Sequence, residues 1–116
     1  MSPYKRFLAW QECHKLVLAV YDVTESFPKH ELYGLSSQTR RAAFSAAVNI
    51  VEGASRKGKN EFRHFLDISL GSLSEVEYAL EVAQARSYLE PDVCAALLTQ
   101  QRRARFLTWR LKRSLE

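Results

Sequence analysis

Residues 36–53 read SSQTRRAAFSAAVNIVEG, and this stretch decides the fold. Ser36 or Ser37 can cap the first amides of a helix, and Gly53 can end it. Small side chains occupy one side of that helix, at positions 42, 43, 45, 46 and 47. Because the distance between packed helices depends on the side chains at the contact, such a side lets a second helix come close. The stretch therefore predicts a helix in tight contact with a neighbour.

The sequence on either side predicts three further helices. Apolar residues recur at steps of three and four before the quoted stretch, and Pro28 ends that segment. A heptad-like apolar series follows the stretch, with Asn60 as its expected cap. Pro91 suits the first turn of a last helix. The four predicted helices cover about residues 8–26, 36–55, 60–88 and 91–114.

Short links between these helices determine the predicted topology. Only a few residues separate the second helix from the third and the third from the fourth, so these neighbours must be antiparallel. Gly71 lies inside the third predicted helix, where glycine costs ~1 kcal/mol relative to alanine, and we expect it to contact the small side of the second helix. The predicted fold class is all-α, an antiparallel up-down-up-down four-helix bundle with residues 1–116 as a single domain.

Length and composition agree with this class. A chain of 116 residues suits one domain, and 47% hydrophobic with 26% charged residues is typical of a globular protein. Four glycines and three prolines argue against sandwiches, barrels and glycine-rich nucleotide loops. No segment reads as a membrane span or a secretory signal.

The two cysteines bear on the expected compartment. Cys13 and Cys94 form neither a disulfide framework nor a zinc-binding pattern, although one bridge between them stays open. We expect a reduced, cytoplasmic protein that makes no contact with membranes.

The positive charge is unevenly placed. The chain carries 17 Lys and Arg against 13 Asp and Glu, a net charge of +4, and residues 1–90 sum to zero. The excess lies in the last predicted helix, on Arg102, Arg103, Arg105, Arg110, Lys112 and Arg113. A second basic cluster consists of Arg56, Lys57 and Lys59, with Arg63 nearby. Basic clusters bind phosphates, and they also occur as plain solvated faces, so both interpretations stay open.

Polar residues share one face of the second predicted helix, beside its small side chains. We expect a polar seam against the third helix, with Arg41 paired to Glu75 and Asn49 bonded to the backbone or a serine of the third helix. Buried polar groups left unpaired cost about 1–3 kcal/mol, so such a seam would fix the register of the two helices. The alternative is that this face meets water. The predicted seam consists of Gln38, Arg41, Ser45, Asn49, Glu52 and Glu75.

No catalytic, metal or cofactor site is predicted. Glu52 and Glu75 lie several helical turns apart in an antiparallel pair, too far for a general acid–base dyad. His14, His30 and His64 lack the spacing of metal ligands. We therefore expect a protein that is not an enzyme.

Two aromatic residues lie among the arginines of the last predicted helix. Phe106 and Trp109 could stack on bases while the arginines hold phosphates. Exposed aromatic residues also mark protein interfaces, and the sequence slightly favours an interface in which Trp109 and Phe106 of one molecule meet the first helix of another, which carries Trp10.

Several spaced motifs resemble a known family. Residues 31–42, ELYGLSSQTRRA, look like the signature E-x-Y-G-L-(T/S)-S-Q-x-R-R-A of the four-helix bundle proteins encoded in 23S rRNA intervening sequences. Residues 45–53, SAAVNIVEG, resemble its continuation S-x-x-x-N-I-A-E-G, and Phe65-Leu66 with residues 71–75, GSLSE, are similar to its F-L…G-S-x-x-E motif. Thr39 and Val51 stand where this family often has leucine and alanine.

The resemblance implies an assembly and partners. Proteins of this family form a four-helix bundle that assembles as a ring-shaped homopentamer. The accessory variability proteins of diversity-generating retroelements are similar, and they bind nucleic acid and associate with a reverse transcriptase. Five copies of this chain would carry five times +4, or +20, which would attract RNA or DNA with strong salt dependence. The implied partners are a homo-oligomer, RNA or DNA, and a reverse transcriptase-like protein.

The sequence thus predicts a non-enzymatic, oligomeric helical bundle that binds nucleic acid, in particular RNA, without sequence specificity. The alternative is a protein-interaction scaffold with no nucleic-acid role, in which the flank of the last helix is a subunit or partner interface. The candidate nucleic-acid-binding residues are Arg102, Arg103, Arg105, Arg110, Lys112, Arg113, Arg56, Lys57 and Lys59.

Overall fold

The computed structural model describes residues 2–116. These residues contain four α-helices and no strand, which confirms the predicted all-α class. The helices are α1 (Leu8–Thr24), α2 (Leu35–Ala54), α3 (Lys59–Ala85) and α4 (Pro91–Ser114). Two short 3-10 helices, Pro3–Arg6 and Lys29–Glu31, precede α1 and α2.

The helices form a closed, antiparallel bundle. In chain order each one packs against the next, and α4 returns to pack against α1, so α1 and α3 lie on one diagonal and α2 and α4 on the other. The closest association is between α2 and α3. The bundle measures 43 × 24 × 23 Å, so the ends of the helices lie at two well separated ends of the molecule. The predicted four-helix bundle is confirmed.

Small residues of α2 allow the close association with α3. Ala42, Ala43, Ala46 and Ala47 are all buried, and the large side chains packed in the core beside them come mainly from α3. Full burial of each such leucine contributes about 1.5–3 kcal/mol to stability. The heptad-like series predicted for the third helix supplies these residues: Leu66, Leu73, Val76 and Leu80 are fully buried.

Both predicted N-caps are wrong, because each helix begins before the residue predicted to cap it. Gly34, and not Ser36 or Ser37, is the N-cap of α2, and the Leu35 amide donates to the Glu31 carboxylate at 3.0 Å. Gly58, and not Asn60, is the N-cap of α3.

The third helix ends three residues before the predicted boundary, and α1 ends two residues before its own. At the end of α3 the Tyr88 amide donates to the Ala83 carbonyl at 2.8 Å, and Ser87 takes a left-handed φ of 63° between them. This is a Schellman motif in which serine occupies the position that glycine usually takes.

The expected role of Gly71 is wrong, and Gly53 has that role instead. Gly71 is exposed, and a Cβ there would meet no atom within 4 Å. A Cβ at Gly53 would lie 2.7 Å from Cδ1 of Phe62 and 3.0 Å from Cβ of Phe65. The close approach that requires glycine is therefore at the end of α2, beside the first turns of α3.

Candidate nucleic-acid interface

Hydrogen bonds between α2 and α3 form a seam shorter than predicted. The hydroxyls of Ser45 and Ser72 share a hydrogen bond of 2.7 Å, and the Ser69 hydroxyl donates to the Ala46 carbonyl at 2.8 Å. Asn49 donates to the Ser45 carbonyl of its own helix at 2.8 Å, so its expected bond to the third helix is wrong. The polar contacts between the helices are thus made by serines.

The outer members of the predicted seam face solvent. Gln38, Arg41, Glu52 and Glu75 are exposed. Arg41 and Glu75 line one hollow of about 450 Å³ but form no ion pair among the residues that the structure describes, so the expected pairing is wrong. Glu52 instead pairs with Arg56 of the following turn at 3.4 Å.

Buried polar residues on α4 escaped the sequence prediction. Val93, an apolar residue near the start of α4, is exposed, whereas Gln101 is fully buried and donates to the Leu73 carbonyl at 2.9 Å. Thr108 is also fully buried. Cys94, Gln101 and Thr108 recur every seven residues, and this heptad was the signal that could have revealed the true inward face.

Both cysteines are free and buried, so the bridge that the sequence left open is excluded. The Cys13 thiol lies 3.8 Å from the Thr108 hydroxyl, and burial raises its pKa to about 12 despite that contact. Burial also raises the pKa of Cys94, whose thiol faces the Leu80 carbonyl. Among residues 2–116, no group of three or more His, Cys, Asp or Glu side chains is arranged to hold a metal ion.

The fold brings the turn with Arg56, Lys57 and Lys59 and the last turns of α4 to the same end of the bundle, whereas Arg102 and Arg103 lie at the middle of α4. Helix α1 begins at this end, α2 ends there, α3 begins there and α4 ends there. The turn carrying Arg56, Lys57 and Lys59 therefore shares an end of the molecule with the last turns of α4. Two contacts join the elements at this end: Lys112 pairs with Asp67 of α3 at 2.6 Å, and the Phe7 and Phe62 rings lie 5.7 Å apart.

The charge separation between the two halves of the bundle is large. Dividing each helix at its midpoint gives a half formed by residues 2–16, 45–72 and 103–116, which we call the basic end; it holds 12 Lys and Arg against 5 Asp and Glu, a net charge of +7. The other half, residues 17–44 and 73–102, holds 5 against 8, a net charge of −3. The two halves together give the +4 of the chain. The net charge alone thus understates the basic character of one end.

Three of the six predicted cations on α4 have carboxylate partners. Arg103 donates to the largely buried Glu12 at 2.6 Å, a closer partner for this carboxylate than Lys15 at 3.6 Å. Lys112 pairs with Asp67, as above, and Arg113 pairs with Glu116 at 3.2 Å. Among the described residues, Arg102, Arg105 and Arg110 have no such partner, and Lys57 and Lys59 have none either.

The aromatic pair on α4 is exposed. The Phe106 and Trp109 rings lie 6.2 Å apart at 27°, and their side chains are 54% and 45% exposed. Together with Arg102 and Arg105 they line a shallow hollow of about 280 Å³. We call these four residues the aromatic face.

Trp10, the third predicted interface residue, packs against other rings of its own chain. Its ring stacks on His14 at 4.9 Å and meets the edge of Tyr4 at 5.0 Å, and the residue is half-buried. The structure thus keeps Trp10 and the aromatic face in separate clusters.

These features define an all-α protein, a four-helix bundle with one basic end and an exposed aromatic face. The family model of the 23S rRNA-intervening sequence protein matches residues 5–107. The chain therefore belongs to the 23S rRNA-intervening sequence protein family.

Comparison with solved structures shows the same fold. A crystal structure of a protein with unknown function from the S23 ribosomal protein family of Bacteroides thetaiotaomicron matches with a TM-score of 0.84 and 17% identity, covering 90% of this chain and 98% of that one. Among curated proteins, no significant match was found. None of the helices in residues 2–116 is long and apolar enough to span a membrane.

Proposed function

We propose that this protein binds RNA without sequence specificity through its basic end, and that its role is binding and not catalysis. One observation carries the proposal: the fold brings two basic clusters, distant in sequence, together at one end with a net charge of +7. Phosphate attraction is independent of sequence and dominates non-specific affinity for nucleic acid.

The unpaired cations are the residues best placed to contact phosphates. Of the five candidate cations without a carboxylate partner among the described residues, Lys57, Lys59 and Arg110 lie nearest the end of the bundle. They are also exposed, and binding a phosphate would require no ion pair to break. Arg103, Lys112 and Arg113 would first have to exchange a carboxylate for a phosphate. We therefore assign the larger share of binding to the first group.

We further propose that the protein acts as a homo-oligomer, in particular the pentamer that the family resemblance implies, in the cytoplasm. In a ring with all subunits in one orientation, the basic ends would occupy equivalent positions around the ring. We propose as a further partner the reverse transcriptase-like protein that the family resemblance implies, which would meet the ring on a shared RNA. The two free thiols favour a reducing compartment.

The second candidate function is a protein-interaction scaffold. The observation in its favour is a groove of about 700 Å³ along α2 and α3, lined by apolar groups of Leu35, Tyr78 and Val82 with Glu75 among the polar ones. This groove lies in the half of net charge −3, away from the basic end.

Salt-dependent RNA binding by two matched triple variants tests the proposal. Lys57→Ala/Lys59→Ala/Arg110→Ala removes three cations from the basic end, and Lys29→Ala/Arg41→Ala/Arg86→Ala removes three exposed cations from the other half. Both variants therefore have the same net charge. Affinity for a labelled single-stranded RNA is measured by fluorescence anisotropy between roughly 50 and 200 mM salt.

We expect the basic-end variant to lose about 2 units of salt slope, because each lost phosphate contact on a single strand removes about 0.7. The control should keep the slope of the unmodified protein. Equal losses in the two variants would show that net charge, and not its placement, controls binding. If the unmodified protein bound no RNA at roughly 50 mM salt, the scaffold function would be favoured.

A further inference from the structure

The aromatic face follows one side of α4. Arg102, Arg105, Phe106 and Trp109 are spaced three, one and three residues apart, so they project from consecutive turns on the same side of the helix. All four are exposed, and none of them contributes to the buried core. The fold therefore does not account for two large aromatic side chains at these positions.

Cations surround the two rings. The Arg110 guanidinium lies 5.8 Å from the centre of the Phe106 ring, and the Arg113 guanidinium lies 5.3 Å from the centre of the Trp109 ring. Arg102 and Arg105 complete the border of the hollow. A ligand that lies against the rings would thus have positive charge on both sides.

This charge disfavours the docking of two copies through the same surface and favours a negatively charged ligand. If a second copy of the chain docked on the face through the same surface, three arginines without a carboxylate partner (Arg102, Arg105 and Arg110) from each copy would be brought together, and like charges facing each other are strongly unfavourable. A polyanion with flat, apolar groups matches both the arginines and the rings.

We propose that the aromatic face is a stacking platform for the unpaired bases of single-stranded RNA, so that the protein prefers single strands to duplexes. This inference rests on the proposed function and adds to it the class of nucleic acid. Every base can stack on an aromatic ring, so the preference would not depend on sequence. Bases within a duplex stack on one another, and their faces are closed to the platform.

The first test replaces the rings with apolar side chains that cannot stack. Phe106→Leu/Trp109→Leu is compared with Phe44→Leu/Tyr78→Leu, which changes two aromatic residues that are at least as exposed but lie in the other half. Binding of a single-stranded oligoadenylate and of an RNA hairpin of the same length is measured by anisotropy. Thermal melting and light scattering verify the fold and the oligomeric mass of each variant.

We expect the Phe106/Trp109 variant to lose about fivefold or more in affinity for oligoadenylate, the loss that follows when one stacked base is removed, with little change for the hairpin. The control variant should bind both as the unmodified protein does. Equal losses for both RNAs would overturn the platform. So would a change of oligomeric mass in the Phe106/Trp109 variant, because that result would identify the face as a protein interface.

The second test observes Trp109 directly. In a Trp10→Phe background Trp109 is the remaining tryptophan, and its fluorescence is followed while oligoadenylate or inorganic polyphosphate is added. Stacking predicts quenching by oligoadenylate and none by polyphosphate, which carries charge but no bases. Bound oligoadenylate without quenching would overturn the platform and leave the proposed function intact. If the unmodified protein bound neither oligoadenylate nor the RNA hairpin at low salt, the platform and the proposed function would both be overturned.

Discussion

A pair of glycine-to-alanine substitutions tests the close approach of α2 and α3. Gly53 and Gly71 undergo the same chemical change, but their surroundings are opposite. A Cβ at position 53 would lie 2.7 Å from the Phe62 ring, well inside ordinary contact, and one at position 71 would meet nothing within 4 Å. The two variants should therefore change stability in opposite directions.

The magnitudes follow from two opposing effects. Alanine stabilises a helix interior relative to glycine by about 0.5–1 kcal/mol, and Gly71→Ala should gain that amount in full. At Gly53 the gain is smaller, because the residue lies in the last turn of α2, and an extra methyl group in a packed contact costs about 1–3 kcal/mol. We expect Gly53→Ala to lose about 1–2 kcal/mol.

Urea denaturation of all variants at the same protein concentration measures both changes. The unfolding midpoint of Gly71→Ala should lie above that of the unmodified protein, and the midpoint of Gly53→Ala should lie below it. If Gly53→Ala were as stable as Gly71→Ala, α2 and α3 would not approach each other as described.

Three further predictions concern ionisable groups. Arg103→Ala should destabilise the fold by about 1–2 kcal/mol in thermal melting, because it leaves the largely buried Glu12 with only a longer contact to a lysine; a variant as stable as the unmodified protein would show that the pair contributes nothing. Bonds from the Leu35 amide and the Tyr88 hydroxyl lower the pKa of Glu31 below its ordinary value of 4.5, so its carboxylate stabilises the fold above that pH and the effect is lost as pH falls through the lowered pKa. The difference in stability between the protein and Glu31→Gln should thus be constant near neutral pH and should shrink in acid. A difference that widened in acid would contradict the lowered pKa of Glu31. Cys13 and Cys94 should react with a thiol reagent only after unfolding, since both are buried with raised pKa values, and rapid labelling of the folded protein would refute their burial.

Hydrophobic periodicity predicted the helices and their antiparallel order, because those features depend on local spacing and link length. It failed at the start of α2, where a side chain before the helix replaces the expected serine: Glu31 accepts from the first amide of α2. The sequence also placed the close contact between α2 and α3 at Gly71 and not at Gly53. The reason is that a sequence shows which residues are small but not which of them meets the neighbouring helix.

For the charged groups too, the sequence predicted one part of the arrangement and the structure was needed for the rest. The two basic clusters are visible in the sequence, and the antiparallel order already implies that they share one end of the bundle. The pairing of Arg103 with Glu12 joins residues 91 positions apart on α4 and α1, and no local pattern reveals it. The division of the six cations into paired and unpaired groups therefore required the structure.

Lysine-acylation footprinting with and without single-stranded RNA tests the central claim most directly, because exposed lysines lie in both halves of the molecule. Lys57 and Lys59 report on the basic end, and Lys29 reports on the other half. RNA should protect Lys57 and Lys59 from acylation and leave Lys29 as reactive as in the free protein. Protection centred on Lys29, or equal protection of all three, would contradict the assignment of RNA binding to the basic end.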